Sequence, residues 1–101
     1  MKSTGPRRKG SNAERELVKL LREAGIPAKR VPLSGAAEGY PGDVKYTDVA
    51  DLDNPDKTAE VKIRSTGFKQ IYKWLADNDI LAIRSDRNEW LVVQRLKDWV
   101  K

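Results

Sequence analysis

A glutamate and a lysine stand two residues apart in the segment AEVKIRS, at Glu60 and Lys62. Apolar and charged residues alternate here, so the pattern predicts a strand over residues 58–65 with both side chains on one face. A second predicted strand, over residues 43–48, can pair with it as a hairpin and bring the carboxylate of Asp43 beside them. Two carboxylates and an ammonium group would then share one sheet face, which is either a site for a charged ligand or simply exposed to water.

The metal ligands that this chain can offer are mainly oxygen atoms, because it contains no cysteine and no histidine. Carboxylates on strands suit Mg²⁺ or Mn²⁺ rather than zinc. Such an ion polarises a phosphodiester and generates hydroxide near neutral pH, while the lysine orients water or stabilises developing negative charge. The alternative is an exposed strand face with a weak ion pair, and an isolated Glu-x-Lys pattern leaves both interpretations open.

A third carboxylate, Glu14, stands near the start of a helix predicted from SNAERELVKLLREAG. Ser11 and Glu14 match a capping box, in which the two side chains satisfy amides of the first helical turn. The helical period also places Glu14 about 20° from Leu21, on the flank of the apolar stripe, and Glu16 on the far side. We therefore expect Glu14 to face the protein, where a carboxylate needs a cation or donors to stay ionised. A capping role and a role in a charged site both remain open.

The pattern of the whole chain predicts three helices and five strands in the order αβββαββα. The first helix starts at Ser11 and stops at Gly25, after a flexible basic arm over residues 1–10. An extended segment interrupted by Pro32, the hairpin, a helix over residues 67–78, two strands in ILAIRS and EWLVVQR and a short terminal helix follow. A chain of 101 residues fits one domain, which we place over residues 11–101.

Charge is distributed unevenly along the chain, whose formal net charge is +5. Residues 1–30 carry nine Lys or Arg against three Asp or Glu, and residues 31–57 carry two against six. A polyanion-binding surface beside a cluster of carboxylates is typical of a metal-dependent enzyme that acts on nucleic acid. Random charge placement in a basic protein is the alternative.

The sequence contains no apolar run of the roughly 18 residues that a membrane span needs. Its first residues, MKSTGPRRKGSN, lack the apolar region of a signal peptide. We therefore expect an intracellular, cytoplasmic protein, compatible with a phage or prokaryotic source.

Four motifs, RRKGSNAERELVKLL, VPLSG, GD and AEVKIRS, follow one another between residues 7 and 65. This arrangement resembles the archaeal-type Holliday junction resolvases, a branch of the PD-(D/E)xK nuclease superfamily. The resemblance implies a restriction-endonuclease-like α/β fold, with one mixed central β-sheet flanked by helices. It also implies that Asp43 and Glu60 bind the metal, that Lys62 assists the attacking water, and that Glu14 supplies a further acidic group at the metal site.

The same resemblance implies contacts with DNA. Ser34 corresponds to a serine that contacts the scissile region, and a basic arm grips the nucleic acid. The predicted DNA-binding residues are Arg7, Arg8, Lys9, Arg15, Arg30, Ser34 and Arg64.

The leading hypothesis is a Mg²⁺-dependent DNA endonuclease selective for branched DNA, with Mn²⁺ as a possible substitute. Two symmetric cuts in a junction need two active sites, so we expect a homodimer. One alternative is a phage-type or repair nuclease that acts on flaps, ends or mismatches. Others are a non-catalytic nucleic-acid-binding module with structural carboxylates, and an RNA-binding or protein-interaction domain.

Overall fold

The computed structural model describes residues 5–31 and 43–101, with the backbone alone for residues 5–9. These residues separate into two units, and the division falls between Ile63 and Arg64. The elements, in chain order, are α1 (Gly5–Glu23), β1 (Ala28–Arg30), β2 (Val44–Thr47), β3 (Asp56–Ala59), α2 (Lys69–Leu75), β4 (Leu81–Ile83), β5 (Leu91–Val93) and α3 (Leu96–Trp99).

The predicted mixed α/β class is confirmed, and the predicted single mixed sheet is not. The described strands form two antiparallel sheets, one with the order β1-β2-β3 and one with β4 beside β5. The short connection between β2 and β3, over residues 48–55, favours antiparallel neighbours. The assignment of residues 11–101 to one nuclease-like domain stays a prediction.

Helix α1 begins at Gly5, not at Ser11, so residues 5–10 continue the helix where the sequence predicted an irregular arm. Pro6 is compatible with this start, because proline is tolerated in the first turn, whose amides have no helical partner. The prediction of Ser11 as the helix cap is therefore wrong. Ser11 lies inside the helix.

The other end of α1 was predicted correctly at Gly25. The Gly25 amide donates to the Arg22 carbonyl at 3.0 Å, and the Ile26 amide donates to the Leu21 carbonyl at 2.9 Å. This pair of bonds is a Schellman motif, which needs a left-handed residue at its centre. Gly25 has φ +87° and supplies that conformation.

The core of the first unit lies where α1 covers the three-stranded sheet. Val18 and Leu21 from α1, Val31 after β1, and Val44 on β2 are its buried apolar residues. In the sheet, Arg30 is opposite Val44, and Val44 is opposite Ala59. The central strand β2 thus contributes the fully buried Val44 to the core, and it pairs with both neighbouring strands.

Strand β3 ends at Ala59, so the predicted strand over residues 58–65 is corrected to Asp56–Ala59. Its partner β2 has four residues, and a ladder cannot extend beyond the strand that supplies its hydrogen bonds. Glu60 and Lys62 therefore lie just past the end of the ladder.

The β2–β3 connection is closed by its own polar groups. The Ala50 amide donates to Asp48 Oδ1 at 3.1 Å, and the Asn54 amide donates to Asp51 Oδ1 at 3.1 Å. Lys57 Nζ donates to Asp51 Oδ2 at 2.7 Å and to the Asn54 carbonyl. These bonds explain why an acidic segment forms a defined turn.

The second unit contains α2, the β4–β5 hairpin and α3. Leu75 is its buried apolar residue, and Arg95 donates to the carbonyls of Ala76 and Asn78 after α2. Trp74, Trp90 and Trp99 are exposed and do not form a core. Within residues 5–31 and 43–101, no helix has both the length and the apolar character needed to cross a bilayer.

Candidate active site

Asp43 is held between the two edge strands of the first unit. Its amide donates to the Ala59 carbonyl at 2.8 Å, and its carbonyl accepts from the Val31 amide at 2.9 Å. Its side chain adds a third bond, because Oδ2 accepts from the Val61 amide at 2.8 Å. The carboxylate of Asp43 therefore lies against the backbone of Val61, the residue between Glu60 and Lys62.

Glu60 and Lys62 form an ion pair of their own. Lys62 Nζ lies 3.2 Å from Glu60 Oε2, and the two side chains are 56% and 53% exposed. An exposed pair of this kind contributes about 0–1 kcal/mol to folding. Its contribution to stability is therefore small, and the geometry offers solvent a carboxylate and an ammonium group side by side.

Glu14 is paired with a residue of β1. Arg30 Nε donates to Glu14 Oε1 at 3.0 Å, and Arg30 Nη2 donates to the Ser11 hydroxyl at 3.3 Å. The Glu14 side chain is 20% exposed, whereas Glu16 is exposed, so the predicted orientations of the two glutamates are confirmed. The prediction of a capping box is wrong, because Ser11 and Glu14 both bond to Arg30 rather than to the helix amides.

The chemistry of the donor set fits a hard divalent ion, although the three predicted ligands are not gathered together. Within the described parts of the chain, no group of three or more Asp, Glu, His or Cys side chains is placed to hold a metal. Mg²⁺, however, is commonly bound through one or two carboxylates while it keeps several waters. Asp43 and Glu60 are carboxylates of the type that such a site uses, and Glu14 does not form a three-carboxylate cluster with them in the described residues.

The predicted DNA-binding residues fall in several places. Ser34 lies outside the described residues. Arg7, Arg8 and Lys9 belong to the first turns of α1, where the backbone alone is described. Arg15 is exposed and donates to Asn12 Oδ1 at 3.4 Å, while Arg64 is exposed and begins the second unit.

Two further basic residues of α1 were not among the predicted DNA-binding residues. Lys19 and Arg22 line the same groove as Arg15, and Arg22 Nε also donates to the Ala28 carbonyl at 2.9 Å. The spacing of Arg15, Lys19 and Arg22 is i, i+4 and i+7, which puts all three on one side of a helix. That spacing is the signal that could have identified them.

A comparison with known protein families finds a match to the family described as archaeal Holliday junction resolvase (hjc), over residues 5–98. The matched range includes Glu14, Asp43, Glu60 and Lys62. A comparison with curated proteins finds no match, and neither does a comparison with solved structures. Since the family match spans nearly the whole sequence, the chain belongs to the archaeal Holliday junction resolvase family.

Proposed function

We propose that the protein is a divalent-metal-dependent DNA endonuclease that resolves Holliday junctions, with its reaction centre at Asp43, Glu60 and Lys62. Membership of a family of junction resolvases implies nuclease activity and a DNA junction as substrate. The observation that supports the residue assignment is the 2.8 Å bond from the Val61 amide to Asp43 Oδ2. It joins one carboxylate to the short segment that carries the other carboxylate and the lysine.

Mg²⁺ is the ion that we propose, with Mn²⁺ as a substitute. Hard oxygen donors without histidine or cysteine favour these ions over zinc. When bound, the ion supplies a Lewis acid that polarises the phosphodiester and lowers the pKa of water. Asp43 and Glu60 are the residues that would hold it.

The side chains of the chain itself position the reacting groups. Three hydrogen bonds orient the backbone of Asp43 and one of its side-chain oxygens. A carboxylate has about four acceptor sites, so acceptance of one amide leaves room for a ligand. Orientation of this kind removes part of the entropic barrier to reaction.

Lys62 has three ammonium donors, of which one can reach Glu60 across 3.2 Å. The others can donate to water or to a phosphate oxygen. An ammonium group aimed at developing negative charge stabilises the transition state more than the ground state. We therefore assign Lys62 to transition-state stabilisation and to the orientation of the attacking water.

The remaining assignments rest on the family resemblance. We propose Glu14 as a further acidic group of the site and Ser34 as a contact to the scissile region. For DNA binding we propose Arg7, Arg8, Lys9, Arg15, Arg30 and Arg64.

The decisive experiment incubates the protein with a labelled four-way junction, with Mg²⁺ and with a chelator. We expect paired, symmetric cuts that require Mg²⁺ and that disappear with the chelator. Matched duplex, flap and single-stranded substrates should be cut much more slowly. Faster cleavage of flaps or mismatched duplex would identify a repair-type nuclease rather than a junction resolvase. Binding without any metal-dependent product would leave only a DNA-binding module.

Two symmetric cuts need two reaction centres, so we propose a homodimer as the active form. Light scattering should give twice the mass of the chain, with one dimer per junction. A monomer that stays monomeric with the junction bound contradicts this part of the proposal.

A further inference from the structure

Two adjoining grooves on the first unit are each lined by more cationic than anionic side chains. The first has a volume of about 560 Å³ and is lined by Arg15, Lys19, Arg22 and Arg30, with Glu23 and Val18. The second has a volume of about 360 Å³, and its charged lining residues are Arg22, Lys29, Lys45 and Asp56. Arg22 belongs to both grooves. Together they carry six cationic side chains and two carboxylates.

The sheet register adds an independent observation. Lys29 on β1 lies directly opposite Lys45 on β2. Because the side chains of directly paired residues stand on the same face of a sheet, an extended anion can contact both ammonium groups.

The arginines of the first groove are oriented by protein acceptors. Arg22 Nε donates to the Ala28 carbonyl at 2.9 Å, and Arg30 Nε donates to Glu14 at 3.0 Å. A guanidinium group has five N–H donors, so each arginine keeps several after these contacts. Because their orientation is fixed in advance, less side-chain entropy is lost when they bind a phosphate.

The dimensions suit an extended ligand rather than a single ion. Arg15 and Arg22 are seven residues apart on α1, or about 10 Å at 1.5 Å per residue. Successive phosphates of one DNA strand are spaced about 3.4 Å along the duplex axis. The first groove alone therefore spans about three nucleotides, and the second extends it past Arg22.

We propose that these two grooves, here called the basic track, bind the sugar-phosphate backbone of duplex DNA in one arm of the substrate. The proposal rests on the proposed function, since it takes DNA as the ligand. None of Asp43, Glu60 and Lys62 lines either groove. The track is thus a positioning surface, and it adds Lys19, Arg22, Lys29 and Lys45 to the residues expected to contact DNA.

The test uses a double variant, Lys19→Gln with Lys29→Gln, in the full chain. Both lysines are exposed, so neither change disturbs the core. The matched control is Lys97→Gln with Lys101→Gln, which makes the same change of charge at exposed positions of the second unit. Affinity for a fluorescent duplex and for a junction is measured by anisotropy in chelator, from about 50 to 200 mM salt, the range over which phosphate contacts are lost.

Loss of two phosphate contacts should reduce the slope of log affinity against log salt by about 1.8, since each contact contributes about 0.9. At about 0.1 M salt the same arithmetic predicts a loss of affinity of more than tenfold. The control should keep the wild-type slope. Equal slopes and affinities for the two double variants, or no duplex binding by the wild type, would overturn the basic track.

Cleavage of a saturating junction with Mg²⁺ separates this proposal from the proposed function. A reduced salt slope in the track variant supports DNA binding by the basic track, whether or not the wild type cleaves the junction. If the slope is reduced and the wild type does not cleave, only the nuclease proposal fails. Wild-type cleavage together with an unchanged slope in the track variant rejects the track and leaves the nuclease proposal intact.

Discussion

Asp43 and Val61 are joined by a side-chain to backbone hydrogen bond of 2.8 Å, across 18 positions of sequence. The bond continues the contact between β2 and β3 past Ala59, where the ladder ends. It therefore fixes the backbone between Glu60 and Lys62 without strand pairing. One acidic side chain acts both as a structural acceptor and as a candidate metal ligand, and these two roles can be separated by mutation.

The first prediction separates the roles of Asp43. Asp43→Asn keeps an oxygen that can accept from Val61 but loses the negative charge, whereas Asp43→Ala loses both. We expect both variants to lose junction cleavage by a factor of about 10² or more, as when a positioned catalytic charge is removed. Only Asp43→Ala should also lose about 1–3 kcal/mol of unfolding free energy, because the Val61 amide is left without its acceptor.

Single-turnover cleavage and urea unfolding measure the two effects. Equal loss of stability in both variants would mean that the charge, rather than the hydrogen bond, supports the fold. Cleavage by Asp43→Asn at the wild-type rate would remove Asp43 from the reaction centre.

The second prediction concerns the exposed pair Glu60 and Lys62. Glu60→Gln and Lys62→Gln should each change the unfolding free energy by less than about 0.5 kcal/mol, because exposed ion pairs contribute little. Each should reduce cleavage by about 10²–10³, the range seen when one stabilising donor is removed from a reaction centre. Glu16→Gln is the control, since it removes an exposed carboxylate from α1. A variant of either residue that cuts at the control's rate contradicts the assignment.

The third prediction is a coupling between Glu14 and Arg30, whose ion pair is only 20% and 27% exposed. A double-mutant cycle with Glu14→Gln and Arg30→Gln isolates the pair from its surroundings. We expect a coupling of about 1 kcal/mol, at the upper end for exposed pairs because the contact is partly buried. Arg15→Gln, at an exposed position of α1, should show no coupling with Glu14→Gln. Additive effects of the Glu14 and Arg30 changes in urea unfolding would show that the observed contact is energetically neutral.

Glu14 also illustrates how far the sequence determines the site. The helical period predicted that this side chain faces the protein, because that property depends only on spacing along one helix. Its partner Arg30 is 16 residues away on another element. Local patterns carry no information about such a pairing, so two incompatible roles remained open. The contact of Asp43 with the end of β3 could be predicted from the sequence. A hairpin links β2 and β3, and the register of a hairpin follows from the local alternation of apolar and polar residues.

The errors in element boundaries have similar physical causes. Alternation over residues 58–65 continues past Ala59, but a strand also needs a partner, and β2 supplies only four residues. At the other end of the chain, residues 5–10 lack apolar periodicity and were predicted as an arm. Arg7, Arg8 and Lys9 are nevertheless good helix formers, and a helix that is already nucleated extends at little cost.

The fourth prediction compares two glycines of α1 and its end. At neither Gly10 nor Gly25 would an added Cβ meet any described atom within 4 Å, but Gly25 has φ +87°. Gly25→Ala should therefore lower the unfolding free energy by about 1–2 kcal/mol, the cost of a left-handed conformation for a residue with a Cβ. Gly10→Ala should raise it by about 0.5–1 kcal/mol, because alanine loses less entropy in a helix. Thermal or urea unfolding measures both changes. If the unfolding free energy changed in the same direction in both variants, the assignment of a Schellman motif at Gly25 would be contradicted.

The turn between β2 and β3 provides a pH-dependent prediction. Lys57 Nζ lies 2.7 Å from Asp51 Oδ2. The hydrogen bond from Lys57, followed by that from the Asn54 amide, lowers the pKa of Asp51 below its ordinary value of 3.8. The hydrogen bond to Asp51 in turn raises the pKa of Lys57 above its ordinary value of 10.5.

The two shifts stabilise the fold over a common pH window. A carboxyl group with a lowered pKa stabilises the folded state above 3.8, and this is lost as the pH falls through the folded pKa. A lysine with a raised pKa stabilises it below 10.5, and this is lost as the pH rises through the folded pKa. The stability difference between wild type and Asp51→Asn should therefore be constant from about pH 5 to 9 and shrink outside that range. In Lys57→Gln, the Asp51 titration followed by NMR should move up towards 3.8; a midpoint that does not move would exclude Lys57 as the main cause of the shift.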